Sequence, residues 1–374
     1  MLSTNVMLEP TESSASMWEQ GVGDWASNEV RWLTCCRVFD ETHDVKTFAF
    51  RTADGSPVRF EPGQFLTVSA DIDGQQVQRC YTIASPPTRP YLVAITVKRV
   101  PGGVMSNWLH ERMRSGMRLR AHGPAGAFTS TRAGAGKLLY LSAGSGITPL
   151  MSMTRASVDL GLNRDIVFVH SARTPADIVF RDELRRLAAL APGLRLLFVC
   201  EGHGDEHGWT GEARRLTLPM LMRQVPDFAT REAFTCGPAG YRHAVREALR
   251  EGGHDPARYH EESFDLSTMA TAAAESKTVE VKAAEHASTF NVRLSKSGKT
   301  FPVQSAETLL AAARRAGVAI ASSCSQGVCG TCKIRVLEGD VAMKHNGGIR
   351  EREVQKGFRL LCCSRAQSDL VLDL

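Results

Sequence analysis

The sequence predicts a multidomain chain: an antiparallel β-barrel, then an α/β unit with a parallel sheet, then a small α+β unit. Three observations predict it. Short β-branched or alternating runs recur between turn residues from Glu29 to about Phe128, the spacing of a small barrel. From Lys137 onward strand-like runs alternate with helical ones, the rhythm of a parallel sheet covered on both faces. Five of the ten cysteines fall in the last 51 residues, which points to a metal or cluster site there. A length of 374 residues accommodates two or three domains at roughly 150 residues each.

Taken in order, residues 1–28 are polar with isolated Trp18 and Trp25, and read as an N-terminal arm. The barrel is expected over residues 29–133. Its strands are Val30–Val38, Thr47–Arg51, Gln64–Ala70, Arg79–Ile83 and Tyr91–Arg99, broken by Asp54-Gly55, Pro62-Gly63 and Asp73-Gly74, with one helix over Val104–Met113. The α/β unit is expected over 134–266. It has strands at Lys137–Ser142, Asp165–His170, Leu194–Glu201 and Ala233–Cys236, and helices from Pro149 to about Leu160 and over Ala176–Leu190, Leu218–Val225 and Tyr241–Glu251. Residues 267–278, small and polar without hydrophobic period, read as a linker. The remainder, 279–374, has two strands, a helix near Thr308–Ala316, a cysteine loop and further short strands.

Composition excludes several classes. With 43% hydrophobic and 23% charged residues the chain is neither disordered throughout nor a fibrous rod. No window approaches the ~20 apolar residues of a membrane span. The first residues carry acids and no apolar segment, so a cytoplasmic, thiol-reducing location is expected. Net charge is +5; residues 286–374 hold 13 Lys+Arg and 7 Asp+Glu, giving +6, so the other residues hold 32 and 33, giving −1. That excess is too dilute for a nucleic-acid tail. Lys344, Arg350, Arg352, Lys356 and Arg359 are expected partly to offset a nearby anionic centre and partly to dock an acidic protein.

The densest chemistry is Cys324-Ser-Gln-Gly-Val-Cys329-Gly-Thr-Cys332, followed by Leu360-Leu361-Cys362-Cys363. C-x4-C-x2-C with a distant fourth cysteine is the spacing of a plant-type [2Fe–2S] centre. Three thiolates must converge from one tight loop, and Gly327 and Gly330 give its backbone the freedom to approach. Zinc sites usually use two C-x2-4-C pairs, and only one pair here has that form. Cys363 rivals Cys362 as the fourth ligand. Cys35, Cys36, Cys80 and Cys200 sit in strand-like runs and are expected to be small buried hydrophobes.

Gly144-Ser145-Gly146-Ile147-Thr148-Pro149 follows a strand and opens a helix, a setting that suits a pyrophosphate. Thr148 is expected at the N-cap and Pro149 at the first helical position. No acid ends the next strand, where a classical NAD unit holds ribose. Ser171-Ala172-Arg173 stands there, and Arg173 is placed to meet the adenosine ribose or a 2′-phosphate. Earlier, Arg79-Cys80-Tyr81-Thr82 ends a barrel strand with residues suited to a diphosphate, a flavin ring and flavin N5.

With Val97-Lys98-Arg99, Val104-Met105-Ser106-Asn107-Trp108-Leu109, Gly123-Pro124-Ala125-Gly126, Thr235-Cys236-Gly237-Pro238 and Glu262-Ser263-Phe264, these motifs make residues 29–266 resemble the ferredoxin–NADP reductase superfamily. The resemblance implies that Arg79 and the backbone at Val104–Ser106, including Met105, hold the flavin phosphates. Tyr81, Val97, Lys98 and Gly103 complete the flavin site, and Thr82 faces N5. Gly144, Ser145, Gly146, Thr148, Arg173, Gly237 and Pro238 would bind the nicotinamide nucleotide. Cys236 would lie beside the nicotinamide, Phe264 would cap the flavin, and Glu262 would stand nearby. The same family pattern places the fourth cluster ligand at Cys362, in a β-grasp ferredoxin domain.

The whole chain is most similar to reductase components of Rieske-type oxygenases, and within them to the reductases of glycine betaine and related quaternary-amine demethylases. Ile95–Gly103, Val169–Thr174, Met343–Ile349 and Cys362-Cys363-Ser364 carry that likeness. It implies FAD (FMN being the alternative), a [2Fe–2S] cluster, and NADH as donor, with NADPH kept open by Arg173. A hydride carries two electrons and the cluster accepts one, so a flavin must divide the pair, and the partner is a Rieske-type oxygenase. Two alternatives stand beside this reading: a reductase for a hybrid-cluster protein or ring-hydroxylating oxygenase, and a redox sensor that does not turn over.

Overall fold

The computed structural model describes residues 30–131, 133, 136–262, 288–318, 320, 327, 330, 332–345, 349 and 351–374, with the side chains of residues 351 and 352 set aside. The expected arm and linker lie outside these residues, as do Phe264, Cys324, Cys329 and residues 346–348.

The first sheet has six antiparallel strands in the order β4-β3-β6-β1-β2-β5. They are β1 (Val30–Thr42), β2 (Val45–Thr52), β3 (Phe65–Ile72), β4 (Gln75–Thr82), β5 (Val93–Lys98) and β6 (Arg118–Ala125). An Ile83↔Ile95 bridge joins the end of β4 to β5 and closes the sheet into a barrel. The barrel encloses a core of Leu33, Phe48, Phe50, Leu66, Ile95 and Leu119. Helix α1 (Val104–Arg112) plugs it with Met105 and Leu109, both buried. Strand β6 is an addition to the expected set. Its sequence, RLRAHGPA, alternates outward arginine and histidine with inward Leu119 and Ala121, but that alternation is short and runs into Gly123-Pro124, which reads as a turn.

The second sheet is parallel, in the order β10-β9-β8-β7-β11-β12. It comprises β7 (Leu138–Ala143), β8 (Ile166–Ala172), β9 (Leu194–Cys200), β10 (Glu212–Ala213), β11 (Glu232–Cys236) and β12 (Tyr259–Glu262). Helices α2 (Ile147–Asp159), α3 (Arg181–Leu190), α4 (Leu218–Gln224) and α5 (Ala239–Glu251) cover it. One face packs Tyr140, Phe168 and Phe234 beneath α2 and α3; the other packs Leu139, Val167 and Ala233 beneath α4 and α5. Both faces are apolar, so the strands read as continuous hydrophobic runs. Helix α2 starts two residues earlier than expected. Gly146 is its N-cap, so Thr148 and Pro149 fall inside the first turn, and Thr148 Oγ1 instead donates to Ser145 O at 3.1 Å. The helix expected over 176–190 is divided by Phe180, held at φ +58°; a 3₁₀ turn over Pro175–Asp177 precedes it and α3 follows.

The third unit has a five-stranded mixed sheet, β14-β13-β19-β15-β17, and a β16-β18 pair. These strands are β13 (Thr289–Leu294), β14 (Thr300–Gln304), β15 (Lys333–Glu338), β16 (Val341–Met343), β17 (Phe358–Leu360), β18 (Ser364–Ala366) and β19 (Leu370–Leu372). Helix α6 (Leu309–Arg315) crosses it, capped by Thr308 Oγ1, which accepts from Ala311 N at 3.3 Å. A short α7 (Glu351–Gln355) precedes β17. Among the four strand cysteines, Cys35 and Cys200 are buried as expected, while Cys36 and Cys80 are half-buried.

Candidate functional site

Three groups of side chains form the site, one on each unit. On the barrel, β4 ends in Arg79, Tyr81 and Thr82. Arg79 donates from Nη1 to Gln78 O at 2.7 Å and has no carboxylate partner among the described residues. Tyr81 packs against the barrel core, and burial raises its hydroxyl pKa, so it stays a phenol. Thr82 is 3% exposed, and its Oγ1 is sealed from solvent without a partner among the described residues. A buried hydroxyl left unpaired costs about 1–3 kcal/mol, so this one fits a ligand acceptor such as flavin N5.

Val100 to Ser106 form a tight turn into α1. Ser106 Oγ accepts from Val100 N and donates to Gly103 O, both at 3.2 Å. A Cβ on residue 103 would stand 2.5 Å from Ser106 Oγ, so a side chain there would push the Ser106 hydroxyl out of the turn. The Ser106 hydroxyl is therefore consumed by the turn. What remains for a phosphate is the first-turn N–H groups of Val104, Met105 and Ser106, which have no carbonyl one turn back. Val97 turns its side chain into the barrel core, and its carbonyl accepts from His110 Nε2 at 2.9 Å. Lys98 pairs with Asp44 at 3.3 Å.

On the parallel sheet, register brings four residues into one row across the carboxyl ends of the strands. Glu262 pairs with Cys236, Cys236 with Ser142, and Ser142 with His170. Ligands of open α/β sheets bind at this end. Ser142 Oγ and His170 Nδ1 are hydrogen-bonded at 2.8 Å, and burial pushes His170 down to about 3, so the ring is neutral. Burial also raises the Cys236 thiol well above its ordinary value and pushes Glu262 up to about 8. Glu262 is half-buried, yet its Oε2 is sealed and unpartnered among the described residues. At neutral pH the row is thus uncharged: acid, thiol, hydroxyl, imidazole. Sequence reasoning missed Ser142 and His170 because only strand register aligns them with Cys236.

The glycine turn meets this row. A Cβ on Gly146 would lie 2.4 Å from Cys236 O, so the β7–α2 turn rests directly on the β11 backbone. Gly237 is as constrained, with Tyr241 Cδ1 2.9 Å from an added Cβ. Gly144 has φ +53° and open space around its added Cβ, leaving room for a phosphate. Ser145 and Pro238 flank these close approaches. Arg173 immediately follows β8 and is not free: its Nη2 donates to Asp177 Oδ1 at 2.8 Å and to Asp44 Oδ2 at 3.4 Å.

On the third unit, Cys332 and Cys362 are buried in the core with Leu310, Leu360 and Leu361. Cys362 N donates to Cys332 Sγ at 3.4 Å, and Gly327 N donates to Cys362 Sγ at 3.2 Å. Gly327 and Gly330 have φ +70° and +74°, conformations that aim backbone N–H groups inward. Amide donors already directed at sulfur suit thiolates that carry negative charge in a cluster. Cys363 turns away, donating from Sγ to Leu360 O at 3.5 Å. The geometry fits Cys362 as the ligand.

Comparison with known proteins agrees with this division. Residues 36–130 match the oxidoreductase FAD-binding domain family, 140–247 the oxidoreductase NAD-binding domain family, and 292–367 the 2Fe-2S iron-sulfur cluster binding domain family. The chain is 43% identical over 358 residues to the glycine betaine monooxygenase reductase subunit of Pseudomonas aeruginosa, covering 93% of this chain and 96% of that one. It is 41% identical over 335 residues to a stachydrine N-demethylase reductase subunit of Rhizobium meliloti, covering 89% and 93%. Phthalate dioxygenase reductase superposes with a TM-score of 0.56 at 25% identity, covering 93% of this chain and 98% of that one.

Proposed function

Because the chain belongs to the family of monooxygenase reductase subunits that join FAD-binding, NAD-binding and 2Fe-2S domains, we propose that it supplies electrons to an oxygenase that demethylates glycine betaine or a related quaternary amine. The observation that carries the reading is the 43% identity to a glycine betaine monooxygenase reductase subunit across all three domains. The phthalate-type alternative rests on a lower identity of 25%.

Held by the residues below, FAD and a 2Fe–2S cluster would supply the chemistry that divides a hydride's electron pair into single electrons. The residues of this chain bind and orient. Arg79 and the first-turn N–H groups of α1 hold phosphate. Thr82 donates at the flavin. The largely buried neutral row from Glu262 to His170 underlies the strand ends where the nicotinamide would sit, and adds no charge there that would favour either redox form. By the family pattern Cys324, Cys329, Cys332 and Cys362 would ligate the cluster, and Phe264 would cover the flavin. NADH is the donor. No described helix is long and apolar enough to cross a membrane. We place the protein in the cytoplasm, where dinucleotide is reduced and thiolate ligands persist.

The test is reconstitution of the full chain with a candidate oxygenase, NADH and betaine-type substrates, scoring formaldehyde. Formaldehyde release that requires this chain supports the reading. Release from none of the quaternary amines, alongside turnover with an aromatic oxygenase, overturns it.

A further inference from the structure

We infer that Asp177, acting through Arg173, makes this chain select a dinucleotide with a free 2′-hydroxyl over its 2′-phosphorylated form; the inference rests on the hydride-donor reading above. The sheet order fixes the direction of the bound molecule. The glycine turn follows β7, and Cys236 and Glu262 lie to one side of it on β11 and β12. A dinucleotide whose diphosphate meets the turn and whose nicotinamide meets Cys236 must send its adenosine ribose the other way, toward the ends of β8 and β9. Arg173 is the first residue beyond β8, and Glu201 the first beyond β9.

Cations around Arg173 are already matched by carboxylates. Arg173 pairs with Asp177 and Asp44, Lys98 with Asp44, Arg181 with Glu206 at 2.6 Å, and Arg215 with Glu201 at 3.1 Å. Around Arg173 four cations thus face four carboxylates, while beside β10 Arg214 and Arg223 share the single carboxylate of Glu212. His43 belongs to the same group, its Nδ1 3.5 Å from Asp177 Oδ1.

Asp177 is the fixed member. Thr174 N and Thr174 Oγ1 both donate to Asp177 Oδ2, at 3.1 and 3.0 Å, the reciprocal cap of the 3₁₀ turn. Its other oxygen is thereby aimed at Arg173. Asp44 reaches in from the β1–β2 turn of the barrel, so the brace spans both domains. A 2′-phosphate would require Arg173 to leave two carboxylates, and would then itself face both. A 2′-hydroxyl brings no charge and offers a donor that a carboxylate can accept. Arg173, which sequence reasoning offered as a 2′-phosphate ligand, is on this reading a neutralised brace and Asp177 the positioning residue.

The experiment is steady-state kcat/KM for NADH and NADPH with ferricyanide as acceptor, on the FAD-loaded full chain, for wild type, Asp177→Asn and Asp44→Asn. The wild type is expected to favour NADH by at least about tenfold. Asp177→Asn should shrink that ratio by about tenfold, chiefly through a lower KM for NADPH, and Asp44→Asn by a smaller factor. A structural role alone would depress both dinucleotides together and leave the ratio in place. A wild type that prefers NADPH, or a ratio that neither substitution moves, overturns the inference. If Asp177→Asn does not retain FAD, the ratio for Asp44→Asn decides. Failure of both dinucleotides to reduce the wild-type flavin removes the hydride-donor reading and this inference together, whereas an unmoved ratio removes this one alone.

Discussion

Arg155 Nη1 donates to the carbonyl of Ala84 across 2.6 Å. Ala84 follows Thr82 by two residues on the barrel, and Arg155 lies on α2, the helix that the glycine turn opens. One turn back, Ser152 Oγ donates to Ser85 O at 2.8 Å. The segment that carries Thr82 and the helix that faces the dinucleotide phosphate are therefore bolted together, so the two reactants share one frame. Arg155 is itself held by a bidentate pair with Glu183, at 2.8 and 2.6 Å, and lies 4.6 Å over the Phe180 ring.

Arg155→Met keeps most of the volume but strands Glu183 and frees Ala84 O. Breaking a buried pair at one end costs about 3–5 kcal/mol; Glu183 is partly exposed, so a loss of about 2 kcal/mol is expected. Thermal unfolding should show it, and single-turnover flavin reduction by NADH should slow more than NADH binding weakens. An unchanged melting temperature with unchanged reduction rate would remove Arg155 from the frame.

Thr82→Val separates folding from function at one atom. Without flavin, the variant deletes an unpaired buried hydroxyl, so the apoprotein should be as stable as wild type or about 1 kcal/mol more so. With flavin, it deletes a donor, and hydride transfer should slow about tenfold. Melting curves of the FAD-free chain and stopped-flow bleaching of the loaded chain read the two effects. Loss of stability without flavin would mean that the hydroxyl has a protein partner after all.

How much of this was legible beforehand follows from what a sequence encodes locally. The glycine turn, the cysteine spacing and the hydrophobic strands β7, β8, β9 and β11 depend on neighbours in the chain, and they were readable. Strand β6 was not, because only Leu119 and Ala121 carry the apolar half of its alternation before Gly123-Pro124, a pair that reads as a turn. Ser142 and His170 became site residues only through register with Cys236. Arg173 has one partner four residues on, Asp177, but the turn that fixes that pair and the second partner, Asp44, 129 positions away on another domain, are visible only in the fold. The choice between Cys362 and Cys363 rested on family pattern, whereas the structure distinguishes them by what each sulfur touches.

That distinction is directly testable. Cys362→Ser should lose most of the [2Fe–2S] absorbance and paramagnetic signal, while NADH–ferricyanide activity persists through the flavin alone. Cys363→Ser should retain both, since its thiol is turned to the Leu360 carbonyl, to which it donates. Iron content and electron paramagnetic resonance of the reduced proteins decide. A cluster that survives Cys362→Ser and fails in Cys363→Ser reverses the assignment.

The pH dependence of stability isolates Glu262. Burial lifts its carboxyl from 4.5 to about 8 in the folded chain. Between those values the unfolded chain has released this proton and the folded chain still holds it, so the unfolded state binds fewer protons and stability falls as pH rises. Below 4.5 both states are protonated and the contribution is level; above about 8 both are ionised, and the folded state carries the full cost of a buried charge. Glu262→Gln keeps the shape and cannot ionise. It should flatten this part of the profile, leaving the variant near wild type at pH 4 and more stable at pH 8.5. Melting temperatures of both proteins across that range provide the measurement. Parallel profiles would show that the Glu262 carboxyl titrates as an ordinary solvated acid, and the uncharged row beside Cys236 would then lose its first member.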